Sequence, residues 1–284
     1  MTRLLLCTDL DRTLLPNGPQ RESKTARERF RLLAQRPEVT LAYVTGRHRA
    51  LVDKAIRNYS LPLPDFVIAD VGSTIYQVEG RHWHAWEAWE TAISQDWGGK
   101  SHGQLHELLT GIKELRLQEH SKQNTHKLSY YVPLYVNHGQ LVARIQALLE
   151  QQGIRANIIW SVDEPANIGL LDILPASAGK SYAIEFLMQQ LGFSLRETVF
   201  AGDSGNDIGV LASPIQSVLV ANAADEVRRA VIRQAQINQQ RDTVYLAKGN
   251  YLGMNGHYSA GILEGVAHYI PEAEAWFGTL EDDT

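Results

Sequence analysis

The feature that most limits what this chain can fold into is a set of short apolar runs, each stopping at a polar turn and resuming as a helix-like stretch. Residues 4–8, 40–44 and 199–201 are such runs, each ending in a loop of Asp, Thr or Gly. Residues 66–69, 170–173 and 218–220 read as further strands, and 23–35, 51–59, 180–191 and 207–212 as helices. This alternation predicts an α/β protein with a mostly parallel sheet. In such sheets ligands bind outside the carboxyl ends of the strands, which is where these polar loops fall.

The middle of the chain has a different texture. Residues 83–170 hold five of the six tryptophans and six of the ten histidines, yet no chemical motif. Helices are expected at 104–115 and 139–152, and strands at 127–132 and 157–162. This reads as a separate α+β unit inserted into the first, giving a core at 1–82, an insert at 83–170 and a return to the core at 171–284.

The 284 residues suffice for a sizeable core. With 27 Lys+Arg against 32 Asp+Glu the net charge is −5, which leaves no basic footprint for nucleic acid. A single cysteine, Cys7, excludes an internal disulfide and reads as a small core residue. The apolar run at 4–6 is too short for a signal peptide or a membrane span. The expected setting is the cytoplasm, with no membrane partner.

Four motifs carry chemistry. Asp9-Leu10-Asp11-Arg12-Thr13 places two carboxylates at a strand end, where they repel unless a cation lies between them; alone, a turn or helix start explains it equally well. Thr45-Gly46-Arg47 offers a hydroxyl and a glycine amide suited to a phosphate oxygen, or a helix N-cap. Arg47 is left open between a phosphate and a carboxylate partner. Lys180 opens a helix, where the macrodipole disfavours a cation unless an anion is near. Gly202-Asp203-Ser204-Gly205-Asn206-Asp207 brings two further carboxylates to the same sheet edge.

In this order, and at these places, the four motifs resemble those of the haloacid dehalogenase-like (HAD) superfamily, most of whose members are phosphatases. The resemblance implies a Rossmann-like core, with the insert in the place of a C2-type cap. It implies that Asp9 is the nucleophile and Asp11 the acid and base. Mg²⁺ would be held by Asp9, the Asp11 carbonyl and Asp203. Thr45, Gly46 and Lys180 would bind the phosphoryl group, with Asp207 and Asn206 in support.

A closer resemblance is to sucrose-phosphate phosphatases. It is carried by Thr8-Asp9-Leu10-Asp11, Val71-Gly72-Ser73, the stretch from Gly202 to Gly209, and Ser259-Ala260-Gly261-Ile262-Leu263-Glu264. The cap segment Gln123-Asn124-Thr125-His126-Lys127-Leu128-Ser129-Tyr130 is also similar, which implies sugar recognition by Lys127 and Asn124. The expected reaction is hydrolysis of sucrose 6-phosphate. Lys122 stands where those phosphatases carry a glutamate, which brings in other disaccharide phosphates such as mannosylfructose 6-phosphate. Association with a sugar-phosphate synthase is compatible with the resemblance.

Two rivals follow from the same motifs. A sugar phosphomutase would need a second phosphate site in the insert, but its arginines, Arg116, Arg144 and Arg155, are scattered. A non-catalytic sugar-phosphate-binding module would not need Asp9, Asp11, Lys180, Asp203 and Asp207 all intact. Trp83, Trp86 and Trp89 recur every three residues and are expected on one helix, packed against its own cap. His82 and His84 lack further metal ligands at suitable spacing.

Overall fold

The structure is a computed structural model describing residues 2–163 and 166–278. Its larger sheet contains β1 (Leu4–Thr8), β2 (Val39–Val44), β3 (Phe66–Ala69), β4 (Thr74–Glu79) and β5 (His82–Ala85). A smaller antiparallel sheet contains β6 (Arg116–Leu117), β7 (Leu128–Val132), β8 (Ala156–Asp163) and β9 (Ile168–Pro175). The chain then returns to the larger sheet through β10 (Thr198–Gly202), β11 (Gln216–Leu219) and β12 (Val244–Leu246).

The order of the larger sheet is β12-β11-β10-β1-β2-β3-β4-β5. Pairing is parallel from β12 to β3, and the β4–β5 hairpin adds an antiparallel edge. β1 is central and wholly buried, so its continuous apolar run has a face on each side. Leu4 and Leu6 join Phe30, Val52 and Ile262 in one core cluster. Leu5 and Cys7 join Ile184, Leu187 and Val231 in the other. The first cluster is covered by α1 (Ala26–Ala34) and α2 (Arg49–Asn58). The insert brings α3 (Glu87–Ser94), α4 (His102–Leu109) and α5 (His138–Gln151). The second cluster is covered by α6 (Lys180–Leu191), α7 (Ile208–Leu211) and α8 (Asp225–Ile237), and α9 (Ser259–Tyr269) completes the first. α4 and α5 pack Leu105, Leu109, Leu141 and Ile145 against the smaller sheet in a third cluster with Trp97.

Two expectations are corrected. The strand at 170–173, expected to open the return to the core, lies inside β9 and pairs with β7 and β8 in the smaller sheet. Its Leu171 and Ile173 fill the third cluster, whereas Leu174 reaches the second. One apolar run thus serves two cores, and hydrophobicity does not say where it changes allegiance. The tryptophans do not share a helix. Trp83 is on β5, Trp86 precedes α3 and only Trp89 lies within it. Trp86 and Trp89 pack on Phe186, at ring-centroid distances of 6.0 and 5.1 Å, and Trp86 also meets Phe66, so they bury themselves on the larger layer.

Candidate functional site

From β1 the chain runs outward through β2 and β3, and from β10 it runs the other way through β11 and β12. The crevice at this reversal, beyond the carboxyl ends of β1 and β10, is where an open α/β sheet binds its ligand. Asp9 follows β1 directly and Asp203 follows β10.

Lys180, the first residue of α6, points into this crevice and is only 4% exposed. Its Nζ donates to Asp9 Oδ1 at 2.8 Å, Asp207 Oδ1 at 2.7 Å and Asn206 Oδ1 at 3.3 Å. Burial opposes its charge, but Asp207 and Asp9 outweigh that and raise its pKa. Asp207 Oδ2 accepts the Asp203 and Ser204 amides at 3.2 and 3.1 Å, so both its oxygens are committed. Asp203 Oδ1 accepts the Thr13 hydroxyl at 3.1 Å, and the Arg12 guanidinium lies 3.7 Å from Oδ2.

The loop ahead of Lys180 is held by close backbone packing. Gly72 has φ +96°, and a Cβ there would lie 2.4 Å from the Gly179 carbonyl carbon, so only glycine fits. Its neighbours Asp70 and Val71 are also left-handed, at φ 50° and 61°, an unfavourable conformation above all for a β-branched side chain. The amides of Asp70 and Val71 bond the Arg47 and Thr45 carbonyls, tying this loop to the turn after β2. There Thr45 is buried and accepts the Arg47 amide at 3.2 Å. Arg47 makes a two-pronged pair with Asp11, at 2.6 Å from Nε and 2.5 Å from Nη2, the carboxylate of its two expected partners. Asn17 adds a bond to Asp11 at 2.7 Å. Burial raises the Asp11 pKa, but Arg47 and Asn17 prevail and hold it below the ordinary carboxylate range.

Asp9, Asp11, Thr45, Gly46, Asp203 and Asn206 line one cavity of about 320 Å³. Asp9, Asp203 and Asp207 each place an oxygen within 4.8 Å of the other two. Burial pushes Asp9 up to about 7, against the pull of Lys180, and Asp203 up to about 6, with the Asp207 charge adding to both. An all-oxygen cluster of buried acids sharing one lysine has the donor set and the charge deficit that a hard divalent cation satisfies. Asp9 and Asp203 retain acceptor capacity for it, whereas the Asp11 side chain is turned toward Arg47.

The insert reaches the same region through its loop before β7. Asn124 Nδ2 donates to the Ser73 hydroxyl at 2.9 Å, and Lys127 Nζ lies 3.6 Å from Asp70 and 3.9 Å from Asp172. Lys127 is therefore a buried link between the layers, and Asp70 and Asp172 are partners that no spacing rule revealed. A second cavity of about 500 Å³ opens beside it, lined by His48, Arg49, Asp70, Trp83, Gln123 and Asn124 among others. Lys122 is exposed on this loop, and His82 and His84 are exposed on β5. No helix among the described residues is long and apolar enough to cross a membrane.

A family model described as sucrose-6F-phosphate phosphohydrolase matches residues 2–270. A protein of Nitrosococcus oceani named as a HAD-like hydrolase is 54% identical over 282 residues, covering 99% of this chain and 76% of that one. The mannosylfructose-phosphate phosphatase of Agrobacterium fabrum is 30% identical over 228 residues, covering 78% of this chain and 85% of that one. The solved sucrose-phosphatase of Synechocystis sp. PCC6803, in complex with sucrose and phosphate, is similar with a TM-score of 0.71 and 27% identity, covering 95% of this chain and 98% of that one. Against the sucrose-phosphatases of Nicotiana tabacum that it matches, the chain spans 59% of their length.

Proposed function

The chain belongs to the sucrose-6F-phosphate phosphohydrolase family of HAD-fold phosphoric monoester hydrolases, and on that premise we propose that it hydrolyses sucrose 6-phosphate to sucrose and phosphate. The observation that carries the reading is the buried Asp9–Lys180–Asp207 chain at the sheet's reversal point. It fixes a carboxylate where phosphorus would be attacked.

Asp9 forms a bond to phosphorus as the ester oxygen departs, giving an aspartyl-phosphate. Asp11 donates the proton that the leaving alkoxide needs, then takes one from the water that attacks the intermediate and restores Asp9. An incoming phosphoryl group offers Arg47 a competing two-pronged partner, which frees Asp11 for that exchange. Thr45, the Gly46 amide and Lys180 hold the phosphoryl oxygens, and Asp207 and Asn206 keep Lys180 in place. Mg²⁺, held by Asp9, Asp203 and the Asp11 carbonyl, would offset the repulsion between Asp9 and the phosphate dianion.

The cavity bordered by Asn124 and the Lys127 loop supports a sugar as the leaving group. A second reading, mannosylfructose 6-phosphate, is favoured by the similarity to the Agrobacterium fabrum enzyme and by Lys122. The test is phosphate release, with and without Mg²⁺, from sucrose 6-phosphate, mannosylfructose 6-phosphate, trehalose 6-phosphate and glucose 6-phosphate, with Asp9→Asn as the blank. Preference for sucrose 6-phosphate is expected. Preference for another disaccharide phosphate moves specificity to the insert, and no release from any of them sinks the reading.

A further inference from the structure

We infer that Asn222 is a positioning residue that fastens the loop behind Asp9 and Asp11 and, through it, holds Asp203 in place; its kinetic consequence rests on the phosphatase reading above. Asn222 lies just beyond β11, outside the four motifs, and is only 3% exposed. Both ends of its amide are committed. Nδ2 donates to the Arg12 carbonyl at 2.6 Å, and Oδ1 accepts the Tyr258 amide at 2.8 Å. Each backbone partner is a non-glycine residue in the left-handed region, Arg12 at φ 58° and Tyr258 at φ 53°. Such conformations persist only where their surroundings over-determine them, and they concentrate at functional sites. One buried amide therefore joins two strained turns that are distant in sequence.

The peptide it grips controls the site on both sides. The carbonyl belongs to the Arg12–Thr13 peptide, and both of those side chains face Asp203, Thr13 by a hydrogen bond and Arg12 by charge. In the other direction the Arg12 amide bonds Asn17 Oδ1 at 2.8 Å, and the same Asn17 side chain donates to Asp11. Relaxing Arg12 toward an ordinary φ would turn this peptide and shift the partners of Asp203 and Asp11 together. Tyr258 is anchored in its turn, its hydroxyl bonding the Gln20 carbonyl at 3.2 Å while Ser259 bonds Glu22 at 2.7 Å. The far end of the same loop is thus held by the same turn.

The test is Asn222→Asp, which keeps the shape and the acceptor for Tyr258 but sets an oxygen against the Arg12 carbonyl. The control is Asn238→Asp, which likewise removes a side-chain donor to a backbone carbonyl, that of Ala212, away from the site. Hydrogen exchange of the amides at 10–17 should speed up by about tenfold or more in Asn222→Asp alone, with α8 unchanged. For sucrose 6-phosphate, kcat should fall on the order of 10- to 100-fold, with KM within about threefold. Wild-type exchange at 10–17, or wild-type kcat in the variant, overturns the inference. If the wild-type chain releases no phosphate from any sugar phosphate, the phosphatase reading fails while the exchange result still decides the fastening. Should Asn222→Asp not fold, Asn222→Ser gives the same two readouts.

Discussion

The buried acids make the metal-free protein's stability depend on pH in a direction fixed by the site. Asp9 rises from an ordinary value of 3.8 to about 7 on folding. Between those values the folded chain holds a proton that the unfolded chain has released. Stability is therefore greatest at the acid end of this window and falls as pH rises through it, by at most about 1.4 kcal/mol per pH unit. Across the whole window the loss is bounded at about 4 kcal/mol, or about 7 °C in Tm for a chain of this size. Asp203, raised to about 6, acts in the same direction, so the Asp9 share is read as wild type minus Asp9→Asn. Scanning calorimetry in EDTA from about pH 5 to about pH 8 should show the wild type losing Tm relative to Asp9→Asn, with the gap levelling off above about pH 7. Mg²⁺ at one fixed concentration, about a hundred times its Kd at the alkaline end, should restore about 2.7 kcal/mol there and less at the acid end. A Tm gap that stays constant across this range would refute the reasoning, because Asp9 would then ionise as it does in water.

Other perturbations probe the same arrangement. Lys180→Met strands two buried carboxylates and should cost about 3–5 kcal/mol by urea unfolding at neutral pH, as well as abolishing phosphate release; a loss under about 1 kcal/mol would mean the lysine is not holding them. Gly72→Ala forces a methyl onto the Gly179 backbone at a left-handed position and should cost about 2–4 kcal/mol, with activity falling because Lys180 moves; wild-type stability would contradict the close approach. Lys127→Ala should raise KM for the disaccharide phosphate by about tenfold and leave kcat within about threefold. A change confined to kcat in steady-state kinetics would show that Lys127 serves the chemistry and not the sugar.

The gathering of the candidate site's side chains was legible because parallel strands deliver their loops to one edge whatever the details of packing. Asp9, Thr45, Lys180, Asp203 and Asp207 lie far apart in the chain, yet each follows a strand or opens a helix, and the topology brings them together. The strand at 66–69 could be read from its apolar run, and the structure has it at those bounds. What failed was reading a partner from a period. Three tryptophans at helical spacing straddle a strand, a turn and a helix, because the hairpin's turn at Gly80 (φ 62°) breaks the pattern just before them. Asn222, Asp70 and Asp172 carried no signal at all, since each acts through a neighbour that only folding supplies.

The same contrast explains why reaction type and substrate stand on different footing. Attack on a phosphate ester by the proposed aspartyl-phosphate route needs a carboxylate, a counter-charge and a proton donor within one cavity, and residue type with position on the sheet goes far toward specifying these. Choosing among disaccharide phosphates needs hydroxyl-by-hydroxyl contacts. The proposed function gives these to Asn124 and Lys127, on a loop whose side chains are already engaged with Ser73, Asp70 and Asp172. A sugar that displaces Lys127 from this buried acid pair must compensate both carboxylates, and burial already raises the Asp70 pKa against the opposing pull of Lys127. On the proposed reading, specificity is set by which sugar can replace those ion-pair contacts with hydroxyl donors. That makes Lys127 together with Asp70 and Asp172, and not Lys122 alone, the group to exchange in a specificity switch.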